Sequence, residues 1–340
     1  MKPFSFLSVV LFLTACAVTA APGPGPRATP RPTQTSEVPA TSEVSPQAYI
    51  LFSINVQDFS YPDLSAAVLT KILDLHEETG VPVDIYLTDQ MAQIFADDYP
   101  ALLARLRTSP VAAVSYHTRL PRPYSTYDWL GLKDLPPDEL YDTIMRYETH
   151  AVDPVSGETT DAPGGYQGVA DLLGYPPYAA AALSGDPDVS AAAVQVFADL
   201  GAQMTLTHGR ALNLGDTKGG LPVRPEHAEL KLFERLGEDA AQAFEPARSQ
   251  ALANAAGGTP PFLGVKMHDN DFFAAQSAWA TVYSQDRRRP PWNPDLKAPL
   301  LSPQEQEAMW ALYEATVRYV AAHPEAVTAV NLRGVLAMRP

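Results

Sequence analysis

YILFSINVQDF, residues 49–59, is an apolar stretch rich in aromatic and β-branched residues that ends on the carboxylate of Asp58. Its first residues carry no charge, which is typical of a strand covered on both faces within a parallel sheet. Ligands of α/β barrels and open α/β sheets lie beyond the carboxyl ends of the strands. Asp58 is therefore a candidate site residue, although an Asp in this position also commonly caps the following helix.

Helix and strand patterns alternate after this stretch. Apolar residues recur at helical spacing over residues 61–79, and VPVDIYLT, residues 81–88, is a second β-prone run. A strand–helix–strand unit of this length predicts parallel pairing. Residues 111–116 and FLGVKM, residues 262–267, predict two further strands. The sequence therefore predicts an α/β fold with parallel strands.

Composition and charge narrow the classes of function. The chain has 340 residues, of which 46% are hydrophobic, enough for a sizeable core. It has 24 basic and 39 acidic residues, and its net charge of -15 repels nucleic acid. We therefore exclude nucleic acid as a partner.

The first 16 residues resemble a bacterial lipoprotein signal peptide. Lys2 precedes an apolar segment too short to span a bilayer, and LTAC, residues 13–16, resembles a lipobox. The resemblance implies that Cys16, the single cysteine, is lipidated, and that the protein is anchored to the bacterial cell envelope, in the outer membrane or on the cell surface. The alternative is a plain signal peptide in which Cys16 is incidental.

A tether and one folded domain are expected to follow. Residues 17–47 are rich in Pro, Ser and Thr and poor in large apolar residues, so they predict a disordered, extended linker. Residues 48–340 contain the alternating strand and helix patterns and form the predicted barrel domain.

Polar or titratable residues stand where the predicted strands end. These residues are Asp58, Asp89, His117, His208 and the group His268, Asp269 and Asp271. A (β/α) barrel collects strand ends from distant positions into one mouth. Asp and His side chains supply oxygen and nitrogen ligands, which suit zinc or another divalent metal even though no cysteine is nearby. A metal held in this way would activate a bound water molecule for hydrolysis. Metal-assisted hydrolysis is therefore one predicted reaction class.

The order of these segments resembles the NodB-like polysaccharide deacetylases. FSINVQDF (52–59) and VDIYLTDQ (83–90) correspond to the family's first two strands, SYHTRLPRP (115–123) to its His-rich motif, and FLGVKMHDNDFF (262–273) to its last motif. The resemblance covers about residues 48–336. It implies a distorted (β/α) barrel with parallel strands and metal-assisted hydrolysis of an N- or O-acetyl group on a polysaccharide.

The sequence departs from the family pattern at three motifs. Gln57-Asp58 replaces an Asp pair, so the family's base is missing, and Pro121 stands where a second histidine is expected. PGGYQGV, residues 163–169, lacks the family's arginine, whereas the last motif keeps His268. The resemblance therefore favours the scaffold more strongly than the activity.

Three interpretations stay open. In the first, Asp58 and His117 bind a divalent metal such as zinc, and His268 acts as acid toward the leaving amine. In the second, no metal binds, and carboxylates such as Asp58, Asp269 or Asp271 hydrolyse a glycosidic bond. In the third, the barrel is catalytically degenerate and only binds carbohydrate, with Tyr86, Trp129, Tyr166 and Arg119 holding the sugar. The predicted substrate-binding residues are Asp89, Arg119, Trp129, Tyr166 and His208.

Two expectations concern other parts of the chain. Residues 157–178 are expected to be a long loop that walls the substrate site, because their length exceeds that of an ordinary connection. His76 lies near a predicted helix end, where a cation suits the helix dipole, and is expected to be solvated.

Overall fold

A computed structural model describes residues 47–119, 130–182, 184–207, 211–255, 258–284 and 289–339. Its strands are β1 (Ala48–Val56), β2 (Val83–Leu87), β3 (Ala112–Tyr116), β4 (His150–Val152), β5 (Thr159–Pro163), β6 (Ala179–Ala180), β7 (Met204–Thr205), β8 (Thr217–Lys218), β9 (Leu221–Pro222), β10 (Ala228–Lys231), β11 (Phe262–His268) and β12 (Val327–Ala329). Its α-helices are α1 (Pro62–Thr79), α2 (Asp89–Asp98), α3 (Pro100–Thr108), α4 (Pro137–Thr149), α5 (Gly165–Leu173), α6 (Pro187–Asp199), α7 (Ala240–Asn254), α8 (Pro303–Ala322) and α9 (Leu332–Ala337). No helix among these residues has the length and apolarity needed to span a bilayer. The predicted site residues Cys16, Trp129 and His208 lie outside the described residues.

The main sheet is parallel, with β1 near its centre. The strand order is β10-β11-β1-β2-β3-β6-β7, and β12 pairs in parallel with the first residues of β1. Tyr49 pairs with Phe262 on one side of β1, and Phe52 pairs with Val83 on the other. The predicted α/β class with parallel strands is confirmed.

The sheet curls into an open half-barrel. Residues from β1, β2, β3, β10 and β11 line one cavity, which requires the sheet to bend around it. β10 and β7 are the two edges of the sheet, so the pairing does not close between them. The architecture is the distorted (β/α) barrel that the sequence predicted.

The outer face of the sheet packs against helices. Phe52 of β1 is fully buried and contacts the rings of His76 on α1 and Tyr313 on α8. The expectation that His76 is solvated is wrong. It is fully buried, with Nδ1 2.8 Å from Val81 O and Nε2 2.7 Å from Tyr313 Oη. Burial lowers its pKa to about 4, so the imidazole is neutral near pH 7.

The expectation of one long loop over residues 157–178 is also wrong, because these residues contain β5 and α5. Helix α5 contacts α2, α4 and β4, and two glycines at its start allow the close approach to the end of α4 and to β4. A Cβ atom on Gly164 would lie 2.5 Å from the backbone of Ala151, and Gly165 has a φ of +61°.

A second apolar cluster fills the barrel interior at the amino ends of the strands. It contains Leu51, Met204, Phe262, Leu332 and Val335, so helix α9 helps to close this end. Leu332 N at the start of α9 donates a 2.9 Å hydrogen bond to Asp84 Oδ1 on β2. The interior is therefore left open toward the carboxyl ends of the strands, where the polar residues lie.

Candidate functional site

A cavity of about 480 Å³ lies at the carboxyl ends of the barrel strands. Its volume is within the usual range for small-molecule sites, about 300–1,000 Å³. Its polar lining includes Asn55, Gln57, His117, Lys266, His268 and Asp271. Three of the predicted site residues, His117, His268 and Asp271, therefore meet at one cavity.

His268 and Asp271 form a hydrogen-bonded pair in this cavity. His268 is the last residue of β11, and Asp271 lies in the single 3-10 turn that follows. Asp271 Oδ2 is 3.0 Å from His268 Nδ1, and it also accepts a 2.7 Å hydrogen bond from His268 N. The carboxylate thereby orients the imidazole, and Nε2 is not used in this contact. An imidazole held in this way can act as a general base and then as a general acid.

His117 contributes to the cavity from the end of β3. Its backbone N donates a 3.0 Å hydrogen bond to Leu87 O, which continues the pairing of β3 with β2. Its Nδ1 lies 2.9 Å from Thr118 O. Thr118 itself is buried, and its hydroxyl donates to Ala181 O on the neighbouring segment. The sequence segment after β3 therefore directs His117, and not Thr118, into the cavity.

Asp58 and Asp269 form a buried pair that lies outside the cavity lining. Asp269 accepts hydrogen bonds from Asp58 N at 3.1 Å and from Ser65 Oγ at 2.8 Å. Asp58 accepts from Ser60 N at 3.1 Å and from Ala278 N at 2.9 Å. These bonds join the segment after β1 to the segment after β11. Both carboxylates therefore link two segments that border the cavity, while lying buried outside its lining.

The environment raises the pKa of both acids. Burial, and then the nearby Asp269, raises the pKa of Asp58 from 3.8 to about 7. Burial raises the pKa of Asp269, although its hydrogen-bond donors oppose this shift.

The glycosidase interpretation needs a pair of carboxylates on one cavity, and of its three candidates only Asp271 lines it.

The predicted metal site is not assembled by the described residues. Over the described ranges, no group of three or more His, Cys, Asp or Glu side chains lies close enough to hold a metal ion. Each oxygen of Asp58 accepts a backbone hydrogen bond, and Asp58 does not share the cavity with His117. Because these donors do not fit a metal, we derive no catalytic step through one.

The predicted substrate-binding pair Asp89 and Arg119 lies at a second cavity, of about 310 Å³. Arg119 Nη1 is 2.8 Å from Asp89 Oδ2, and the guanidinium lies 4.2 Å from the centre of the Tyr147 ring. Asp89 Oδ2 also accepts a 2.8 Å hydrogen bond from Gly165 N. The pair therefore links α2 to the start of α5, and neither residue lines the cavity that contains His268.

Tyr166 does not contact either cavity, contrary to the prediction. Its side chain is fully buried, and its hydroxyl donates a 2.8 Å hydrogen bond to Pro177 O. The reason is that residue 166 belongs to helix α5 and not to a loop, so its ring packs against Tyr116 and Phe197 in the core.

Sequence reasoning missed Lys266, Arg224 and Glu229, which also line the first cavity. Lys266 pairs with Ser53, and His268, two residues later on β11, pairs with Asn55. Lys266 and His268 therefore lie on the same face of the sheet. The alternation of polar residues along β11 was a usable signal for Lys266. Arg224 lies in the turn-rich segment before β10, and no pattern in the sequence indicates its position.

Known proteins resemble this chain in structure and not in sequence. No family profile matches the sequence, and no curated protein is similar enough in sequence to match. A 4-alpha-glucanotransferase from Thermococcus litoralis has a similar structure, with a TM-score of 0.49, 11% identity, and coverage of 86% of this chain and 40% of that chain. This chain therefore spans less than half the length of that enzyme.

Two bacterial structures of more similar length also match. One, from Mycobacterium smegmatis and assigned as a polysaccharide deacetylase, has a TM-score of 0.48, 13% identity, and coverage of 86% of this chain and 91% of that chain. Another so assigned, from Pseudomonas aeruginosa PAO1, has a TM-score of 0.47, 11% identity, and coverage of 85% and 90%. The fold implied by the resemblance to polysaccharide deacetylases is confirmed by the parallel, curled sheet itself.

Proposed function

We propose that this protein is a hydrolase that removes an N- or O-acetyl group from a carbohydrate. The observation that carries the proposal is the His268–Asp271 pair, in which a carboxylate orients an imidazole at the end of a barrel strand that lines the cavity. Such a general acid–base group contributes about 10² to 10⁴ in rate. The polar cavity and the resemblance in motif order support an acetylated carbohydrate as substrate.

His268 carries out the proton transfers in this mechanism. Nε2 takes a proton from water as the water oxygen bonds to the acetyl carbonyl carbon, and Asp271 stabilises the resulting imidazolium. Lys266 and Asn270 also line the cavity and provide N–H donors for the oxyanion. The imidazolium then returns its proton to the leaving nitrogen or oxygen as the bond to the acetyl carbon breaks. The products are acetic acid, which ionises, and a free amine or hydroxyl group.

The experiment is acetate release from acetylated oligosaccharides by the full chain. We expect His268→Ala to lower kcat by about a thousandfold and Asp271→Asn by a smaller factor, because Asp271 acts through His268. His323→Ala is the matched control and should leave kcat unchanged, since His323 lies at the end of α8 and does not line this cavity. Equal acetate release by His268→Ala and the unaltered protein, or no release from any acetylated oligosaccharide, would overturn the proposal.

We further propose that the protein acts outside the cytoplasm, anchored to the cell envelope through lipidated Cys16. The lipobox-like LTAC at residues 13–16 supports this proposal. Mass spectrometry of the mature protein should find a diacylated Cys16 at its N-terminus, and Cys16→Ser should release the protein from the membrane fraction. An unmodified Cys16 in membrane-free extracts would contradict it.

A further inference from the structure

The floor of the cavity, below His268, is built from buried polar side chains. Tyr86 on β2 and Arg224, in the segment before β10, both line it. Tyr86 is 3% exposed, and within the described ranges neither its hydroxyl nor Arg224 Nε has a hydrogen-bond partner. Burial raises the pKa of the Tyr86 hydroxyl, so this group stays protonated and is a donor. Among the described residues, no acceptor satisfies either of these buried donors, which is costly unless a ligand supplies the acceptors.

The backbone is shaped to admit the Arg224 side chain. Arg224 Nη1 lies 3.2 Å from Glu226 Oε2, and this ion pair rests against Gly264 on β11. A Cβ atom at Gly264 would lie 2.4 Å from Glu226 Oε2 and 2.8 Å from Arg224 Nη2. Any larger residue would displace the pair, so the glycine makes room for a guanidinium at the floor.

The charges around the floor nearly cancel. Arg224 is paired with Glu226, and Lys266 Nζ lies 3.7 Å from Glu229 Oε1. The neighbouring Asp84 is fully buried, and burial raises its pKa to about 7, which limits its negative charge near neutral pH. Among the described residues of the floor, an anionic or cationic ligand would find no unpaired counter-charge. A neutral ligand with several hydroxyl groups would find both donors and acceptors.

We propose that this floor is a subsite for the terminal, neutral pyranose of an oligosaccharide. Hydroxyl oxygens of the sugar accept from Tyr86 Oη and Arg224 Nε, and a sugar hydroxyl donates to Glu229. The apolar cluster that includes Leu51 and Phe262 closes the barrel below, so a chain end can enter but a chain cannot pass through. The inference rests on the proposed function in that it takes carbohydrate as the substrate, and it adds that an uncharged chain end is recognised.

Titration of the full chain with oligosaccharides, followed by saturation-transfer NMR, tests the subsite. The neutral probes are maltotriose, cellotriose and triacetylchitotriose, and the charged probes are digalacturonate and the glucosamine dimer. At least one neutral probe should bind, and Tyr86→Phe should weaken that binding about tenfold without lowering Tm. Tyr141→Phe is the matched control, because the Tyr141 hydroxyl donates to Asp199 Oδ2 on the protein surface. Failure of all neutral probes to bind, unchanged binding by Tyr86→Phe, or tighter binding of a charged probe would overturn the inference.

Acetate release separates this inference from the proposed function. If His268→Ala abolishes acetate release but Tyr86→Phe binds every probe as the unaltered protein does, the subsite is wrong and the hydrolase assignment stands. If Tyr86→Phe weakens binding of a neutral probe while no acetylated oligosaccharide is hydrolysed, the subsite stands and the assignment is wrong.

Discussion

The two faces of β1 differ in chemistry although their residues alternate along one strand. Phe52 and Ile54 are fully buried in the main core, on the side of the helices. Ser53 and Asn55 line the cavity on the other side. β11 shows the same alternation, with Met267 in the core and Lys266 and His268 at the cavity. Successive side chains of a strand point to opposite faces of the sheet. Residues that stabilise the fold therefore alternate with residues that line the cavity.

Phe52→Ala is the strongest test of the outer face. Truncation of a fully buried phenylalanine costs about 3–5 kcal/mol, and here it also removes contacts with His76 and Tyr313. Urea denaturation should show this loss, whereas acetate release per folded molecule should not change. A decrease in the free energy of unfolding of less than about 1 kcal/mol would mean that packing on the outer face contributes little to stability.

Gly264→Ala tests the inner face at its most crowded point. The added methyl group would clash with Glu226 and Arg224, and overpacking of this kind costs about 1–3 kcal/mol. Sugar binding should weaken as well, because the guanidinium moves. Gly168→Ala is the matched control: Gly168 lies within α5, the nearest atom to its added Cβ is 3.9 Å away, and alanine should stabilise the helix by about 0.5–1 kcal/mol. Equal effects at the two glycines would contradict the crowding argument.

The pH dependence of stability tests the buried acids of the inner face. Asp84 has an ordinary pKa of 3.8, and burial raises it to about 7 in the folded protein. Between about pH 4 and pH 7 the folded protein keeps a proton that the unfolded chain has lost, so stability falls as the pH rises, by about 1.4 kcal/mol per pH unit for each such proton. Urea denaturation at pH 5 and pH 7 should show a shallower fall for Asp84→Asn than for the unaltered protein. A slope unaffected by Asp84→Asn would show that this acid is ionised throughout.

Asn55→Ala should have the smallest effect on stability. Asn55 is one residue away from Ile54 and three from Phe52, but its side chain lines the cavity. Asn55 is 9% exposed but borders the cavity and not the packed core, so we expect the free energy of unfolding to fall by no more than about 1 kcal/mol. A loss comparable with that of Phe52→Ala would remove the distinction between the faces.

The sequence predicted the sheet better than it predicted the site. Apolar runs such as 49–59 predict buried strands directly, because burial on both faces leaves a continuous hydrophobic pattern. The positions of side chains that follow a strand are harder to predict, since one change of backbone direction decides whether a side chain enters the cavity. Asp58 and His117 both follow strands, yet Asp58 turns inward to Ala278 N and His117 lines the cavity.

Other residues of the site could not be found from local patterns. Arg224 and Gly264 are far apart in sequence, and the parallel pairing of β10 with β11 brings them together. His76 was within reach of prediction, since it follows Ile72 and Leu73 at helical spacing on the buried face of α1. Gly164 and Gly165 interrupt any regular pattern in residues 157–178, and their close approach to the backbone of Ala151 and Glu148, which explains them, is not visible in the sequence.

The central position of β1 has a consequence for the order in which the protein can fold. β1 is the first strand in the described chain, but one of its two long partners is β11, and Gln57 N donates to Asp269, 212 residues later. Contacts this distant raise the contact order and slow folding, because a long loop must close before they form. The middle of the sheet therefore cannot be completed on the ribosome until β11 has emerged. A chain exported to the cell envelope would benefit from this delay, since it would remain unfolded long enough to be threaded through a membrane.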